Sequence, residues 1–378
     1  MSLLDTAKKY QPLFVEWRRH LHAHPELSGK EYETAAWIEK ILDGFGVPHE
    51  RMADTGVVAT LQNGEGKTVA LRADIDALPV TEITGLPFAS ENPGVMHACG
   101  HDIHTAALLG AVRVLLDCRD AFSGTVKFLF QPKEEGEGGA RPMMDAGALE
   151  GVDAVFGFHV APDLPTGVVG VRYGAFYAAS NPFAFTVTGK SAHAARPEQA
   201  VDALRSAVDI ISALNALPRD GFVLSVCTMN AGTAENVIAD RAEVKGALRS
   251  LGTERRQAAV TLVRDTIRRV ADAHGTPVDI RIRNGNVGVT NHDASSALVE
   301  SAARELLGND RVTVLDRPTM TTEDFGYYLE KTKGCFYHIG VGGGALHAAD
   351  FRPDERMLST AAAMHAGVVL KILEKTEK

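Results

Sequence analysis

Ten residues constrain this chain more than any others: Met96-His-Ala-Cys-Gly-His-Asp-Ile-His-Thr105. They hold four metal-ligating candidates, His97, Cys99, His101 and His104, together with Asp102, and an apolar helical run from Ala106 to Leu116 follows at once. Ligand-type side chains crowded into a loop ahead of a helix suit a metal site better than a core. The competing reading is a surface loop that happens to be rich in histidine. A metal site needs partners from distant parts of the chain, so the fold must bring other loop ends to this one.

Other apolar runs supply such partners. Gly56 to Leu61 and Thr68 to Ala73 read as strands, and the second ends in Arg72-Ala-Asp-Ile-Asp-Ala-Leu-Pro79. In an open α/β sheet the C-terminal strand edge opens into a crevice. Asp76 is therefore a candidate to orient a ligating histidine; a solvated strand end capped by Pro79 is the alternative. Thr125-Val-Lys-Phe-Leu-Phe-Gln-Pro-Lys-Glu-Glu-Gly136 is a third strand and delivers Glu134 and Glu135. Adjacent residues on an extended chain point opposite ways, so one carboxylate can bind metal while its neighbour serves as a general base. Gly136, Gly138 and Gly139 lack the Lys-Ser/Thr of a phosphate loop and read as a turn into a helix from Met143 to Leu149. Ala154 to Val160 is a further strand and carries His159 near its end. This alternation predicts a doubly wound α/β sheet.

Upstream, residues 5–22 read as one helix, and Tyr32 to Phe45 as a second that closes at Gly46. His20, His22 and His24 cluster where the first helix stops before Pro25, a position where histidine complements the helix dipole; they read as a helix end rather than a metal site. A chain of 378 residues exceeds one ordinary core, which predicts two domains. A net charge of −9 argues against a nucleic-acid partner. Four scattered cysteines without a CxxC pair fit a reducing compartment. With no apolar leader and no run approaching a membrane span, the expectation is a cytoplasmic protein without a membrane partner.

From about Tyr177 the pattern changes. It reads strand (Phe183 to Val187), helix (Ala200 to Ala216), strand (Phe222 to Met229), strand (Asn236 to Arg249), helix (Glu254 to Ala273), strand (Pro277 to Arg283). That βαββαβ order is ferredoxin-like and has a core of its own. It interrupts the first domain, because residues 291–378 resume an αβαβα pattern and add His347 after a glycine-rich run. The expected division is 1–180 and 291–378 for the first domain, with 181–290 inserted into it.

Taken together, Leu21-His-Ala-His-Pro-Glu-Leu27, Arg72–Pro79, His97–Thr105, Gln131-Pro-Lys-Glu-Glu-Gly136, Gly157-Phe-His159, Gly189-Lys-Ser-Ala-His-Ala-Ala195, Thr322-Glu-Asp-Phe325 and Leu346-His347 carry a resemblance that spans the whole chain. It resembles the metal-dependent amidohydrolases that include hippurate hydrolase, N-acyl-amino-acid amidohydrolases, N-acetyldiaminopimelate deacetylase and the auxin-conjugate hydrolases. The resemblance implies a zinc-exopeptidase-like catalytic domain and a two-metal centre of zinc, manganese, cobalt or nickel. Its implied ligands are Cys99, His101, Glu135, His159 and His347. Cys99 would bridge, with His101 and His159 completing one metal and Glu135 and His347 the other. Glu134 falls on the family's general acid/base, His193 on a lid histidine that reaches the partner's site in dimeric relatives, and Asn236 and Arg249 on substrate contacts. Lys133, Ile103 and Ala348-Ala349 depart from the usual pattern without removing a ligand. The implied reaction is hydrolysis of an N-acyl amino acid. Deacetylation of N-acetyldiaminopimelate, or a dipeptidase or carboxypeptidase activity, is the alternative. The resemblance makes 1–180 and 291–378 the catalytic domain and 181–290 a lid and dimerisation domain, and the implied assembly is a homodimer, or a dimer of dimers, formed through that lid.

Overall fold

In the computed structural model, which describes residues 2–374, the chain divides into two compact units. One comprises residues 2–174, 290–317 and 324–374; the other comprises Ala175–Val289 and Pro318–Glu323.

The first part of the larger unit runs α1 (Leu3–Lys9), α2 (Gln11–Ala23), α3 (Tyr32–Phe45), β1 (His49–Met52), β2 (Gly56–Asn63), β3 (Thr68–Asp74), α4 (His101–Asp117), β4 (Gly124–Gln131), α5 (Ala140–Asp145), β5 (Ala154–Ala161) and β6 (Val169–Val171). The short β7 (Gly174–Ala175) lies at the unit boundary. The expected helix over 5–22 is two helices. Tyr10 ends the first, and Pro12 opens the second, where its missing N–H costs nothing. Helix α3 closes at Gly46 in the left-handed conformation, φ 64°. Helix α5 starts three residues earlier than expected, at Ala140, and stops before Gly147.

The smaller unit contains β8 (Ala179–Thr188), α6 (Ala203–Asn215), β9 (Phe222–Ala231), β10 (Arg241–Ser250), α7 (Thr253–Ala273) and β11 (Val278–Ile282). Its sheet has the order β11-β8-β10-β9 and is antiparallel throughout, the ferredoxin-like arrangement. Phe183, Phe185, Ile210, Val244 and Ile267 build its separate core. Strand β10 begins at Arg241, so Asn236 lies in the preceding turn and not in a strand.

The larger unit resumes with β12 (Thr290–Asn291), α8 (Asp293–Leu307), β13 (Val312–Val314), α9 (Gly326–Leu329), β14 (Lys333–Gly340) and α10 (Leu358–Leu373). Its eight-stranded mixed sheet has the order β1-β2-β4-β3-β5-β14-β6-β13. The central strands β4, β3, β5 and β14 are mutually parallel, while β1, β2 and β6 bring antiparallel pairings. The parallel strands are apolar runs buried on both faces, as helix-covered strands must be. Helices α4 and α10 pack on each other and on β3. Glu355–Leu373 is long and apolar enough to cross a membrane by composition, but 72% of it is buried inside the unit, as in a core helix.

Parallel alignment has one consequence for chemistry. The C-terminal ends of β3, β4, β5 and β14 share one edge of the sheet. Those ends carry, or lead into, Asp74 and Asp76, Glu134 and Glu135, His159, and the loop to His347.

Candidate metal centre

Helix α4 starts at that edge. Its N-cap is Gly100, at φ 84°, and a Cβ there would lie 2.6 Å from Val160 Cγ2, so only glycine lets the helix start this close to β5. The turn places Cys99 just before the helix and His101 at its first position.

Five ligand-type residues converge into two groups that share one member. Cys99, His101 and His159 have ligand atoms within 4.8 Å of one another, and so do Cys99, Glu135 and His347. Cys99 Sγ is 3.4 Å from His159 Nε2, and Glu135 Oε1 is 3.0 Å from His347 Nε2. The two buried imidazoles are oriented by their outer nitrogens. His101 Nδ1–H donates to the Asp76 carbonyl at 2.8 Å, with Asp76 Oδ1 at 3.2 Å, and His159 Nδ1–H donates to the Val160 carbonyl at 2.8 Å. Each Nε2 therefore turns a lone pair inward. His101 Nε2 is buried without a hydrogen bond, which is the condition of an atom shaped to hold a cation. Asp76 Oδ2 also accepts the Glu135 N–H at 2.9 Å, so one buried carboxylate holds a residue of each group.

Electrostatics point the same way. Burial lowers the affinity of His101 for a proton, but Asp74, Asp76 and Glu135 overcome it and push His101 up to about 10. Burial, with Glu135 and Glu134, pushes the Cys99 thiol well above its ordinary value. Burial holds His159 well below the ordinary histidine range. A partly buried cluster with this much negative charge is neutralised by protons or by cations, and its N, S and O donors suit a borderline-soft divalent ion. Glu134 lies beside it, its carboxylate within 4.8 Å of the ligand atoms of His101 and Glu135.

Two of the four histidine and cysteine candidates in the opening stretch fall outside both groups. His104 Nδ1 faces Asp74 Oδ1 at 2.5 Å, and its Nε2 accepts the Val160 N–H at 3.0 Å; both nitrogens are engaged, so it braces the end of β5 rather than ligating. His97 is buried outside both groups. Asp102 is a structural acid: its Oδ2 accepts from Arg18 Nε and His22 Nδ1, each at 2.8 Å. His22 Nε2 lies 3.2 Å from Glu82, a carboxylate that burial would raise but that His22, the Ser90 N–H and Thr84 hold at about 2. His22 lies in the last turn of α2, as expected, but it is fully buried and serves this network. The available signal was the four-residue spacing of Arg18 and His22, which puts both on one face of α2. Arg72, Asp74, Gln131 and Asp324 form a second buried network, in which Asp324 also accepts the N–H groups of Gly139 and Ala140.

In the smaller unit, His193 and Asn236 are neighbours, joined through the Ala194 N–H and the Asn236 carbonyl at 2.9 Å. His193 Nδ1 accepts the Ala195 N–H at 3.1 Å, which leaves the exposed Nε2 to carry the proton. Arg249 lies on β10, half-buried, and desolvation lowers its proton affinity.

Residues 70–371 match the model of peptidase family M20/M25/M40. This chain is a member of that family. The N-acetyl-L-cysteine deacetylase of Bacillus subtilis is 38% identical over 96% of this chain and 88% of its own length. Thermostable carboxypeptidase 2 of Saccharolobus solfataricus is 34% identical over 99% of both chains. A crystal structure of a Bacillus subtilis dinuclear metal binding peptidase of the M20 family superposes with a TM-score of 0.89 at 36% identity, covering 97% of this chain and 99% of that one. Membership in the M20 family makes the protein a metal-dependent hydrolase of amide bonds.

Proposed function

We propose that this M20 hydrolase cleaves N-acyl amino acids to a carboxylic acid and a free amino acid at a dinuclear centre. The observation that carries the reading is the pair of ligand groups meeting at Cys99. Cys99, His101 and His159 would hold one cation, and Cys99, Glu135 and His347 the other. The donor set suits zinc, manganese, cobalt or nickel. Two such cations would supply a water acidic enough to attack an amide carbonyl at neutral pH. Glu134 takes the proton from that water and returns it to the departing amine. His193, with its proton on Nε2, donates to the developing oxyanion. Arg249 is the partner for the substrate carboxylate, and Asn236 supports the same end of the substrate. Residues 181–290 serve as lid and dimerisation surface for a homodimer or a dimer of dimers. The free state of Cys99, Cys118, Cys227 and Cys335 supports a reducing, cytoplasmic setting.

Likeness to a carboxypeptidase over 99% of the chain favours peptides as the second substrate class. The test is hydrolysis of N-acetyl, N-benzoyl and N-fatty-acyl amino acids, dipeptides and N-acetyldiaminopimelate, each with added zinc, manganese, cobalt or nickel. Release of free amino acid from the N-acyl series is expected. Turnover confined to dipeptides would replace this reading with a peptidase.

A further inference from the structure

The acid/base loop is gripped by a carboxylate that belongs to neither ligand group. Glu31 is fully buried. Its Oε1 accepts two backbone N–H groups, from Gly29 at 2.8 Å and from Lys133 at 3.0 Å, and its Oε2 accepts the Thr55 hydroxyl at 2.7 Å. Lys133 immediately precedes Glu134 and has φ 64°, a left-handed conformation that an L-residue adopts only when something holds it there. The two segments are in tight contact around this bond: a Cβ at Gly136 would lie 2.4 Å from Ser28 Oγ. Two residues on, the Glu135 N–H is held separately by Asp76 Oδ2 at 2.9 Å. The loop thus has two anchors, and Glu134 lies between them.

We propose that Glu31 is a positioning residue for Glu134: its Oε1 holds the Lys133 N–H, fixes the left-handed turn and so aims the acid/base carboxylate. The proposal rests on the reading of Glu134 as the acid/base. Because Asp76 holds Glu135 independently, Glu31 governs turnover and leaves metal binding alone. The two oxygens also have unequal tasks. Oε1 accepts from both amides and must stay an oxygen, whereas Oε2 meets a hydroxyl that can either donate or accept. A carboxamide can therefore replace the carboxylate, and a shorter side chain cannot.

The experiment compares Glu31→Asp, Glu31→Gln, Thr55→Val and the double variant Glu31→Asp/Lys133→Gly in the metal-loaded enzyme. Readouts are kcat, KM, zinc retention against a chelator and amide hydrogen exchange at Lys133. Glu31→Asp should lower kcat by about 100-fold, the cost of displacing a reacting group by roughly 1 Å, with KM and zinc retention within about threefold of wild type and faster exchange at Lys133. Glu31→Gln should stay within about threefold of the wild-type kcat, since it keeps every hydrogen bond. Lys133→Gly should restore at least about tenfold in the Glu31→Asp background, because glycine takes the left-handed turn without strain. A purely structural Glu31 would give no such rescue, and its absence overturns the proposal, as does a wild-type kcat in Glu31→Asp. If Glu31→Asp does not fold, protection of the Lys133 amide in the wild-type protein decides: slow exchange there, unchanged in Thr55→Val because that variant frees only Oε2, supports the grip, and free exchange overturns it. If the wild-type protein hydrolyses no N-acyl amino acid, the substrate reading fails, and the same exchange measurement still decides whether Glu31 holds the turn.

Discussion

Asp76→Asn is the sharpest probe of the proposed centre, because one buried carboxylate serves both ligand groups. Oδ2 accepts the Glu135 N–H at 2.9 Å, and Oδ1 lies 3.2 Å from His101 Nδ1, whose proton also reaches the Asp76 carbonyl at 2.8 Å. Asparagine keeps the shape but puts an NH2 in place of one oxygen. Turned toward Glu135, that NH2 meets an N–H; turned toward His101, it meets the Nδ1 proton. Either orientation sets donor against donor, and both remove the negative charge behind the imidazole. Losing such an outer partner weakens metal binding by about 10–100-fold, or roughly 1.4–2.7 kcal/mol. The main-chain hydrogen bond survives, which keeps the loss to that range rather than abolishing the site. Competition for zinc against a chromophoric chelator measures the change, with the melting temperature of the metal-free protein as a folding control. Excess zinc should recover most of the turnover. A folded Asp76→Asn protein with wild-type zinc affinity would refute the claim that this carboxylate orients the ligands.

Three further outcomes are expected. Glu134→Gln should retain metal while kcat falls by roughly 10²–10⁴, whereas Glu135→Gln should lose metal; equal loss of metal in both, measured by elemental analysis, would break the division of roles. Cys99 should resist alkylation in the metal-loaded protein and react after chelation, because a ligating thiolate is shielded; rapid labelling of active, fully loaded enzyme would remove it from the ligand set. His365 is fully buried against Phe158, and burial pushes it down to about 3. A folded-state value below the unfolded one means that the unfolded chain takes up the proton first. Stability is therefore lost as pH falls from about 6.5 toward 3, and at pH 5 this histidine costs up to about 2 kcal/mol. His365→Leu should make unfolding by denaturant less sensitive to pH across that window; an unchanged pH dependence would show that His365 takes up its proton equally in both states.

Much of the fold was legible in the sequence, because its signals are local. Continuous apolar runs such as Thr125 to Gln131 and Ala154 to Val160 can be buried on both faces only in a helix-covered sheet, and the separate βαββαβ pattern carries its own core. The ligand set came from a resemblance spread over the whole chain, since no single stretch holds more than two of the five residues. Tertiary structure decided what each buried polar group does. His104 and Cys99 share one ten-residue stretch, yet Asp74 and the Val160 N–H occupy both nitrogens of His104. His22 reads from sequence only as a helix end, because its partner, Asp102, is 80 residues away. Strand β6 is only three residues long, and its pairing with β14 and β13 fixes it more than its own pattern does. Lys133 and His347 both adopt φ 64°, a conformation no propensity assigns to them. It persists at Lys133 because Glu31, 102 residues earlier, accepts its N–H, and at His347 with the N–H donating to Ala98 at 2.8 Å. Side-chain type and periodicity are written along the chain; the partner that satisfies a buried donor or charge is set by which distant segment the packing brings within about 3 Å.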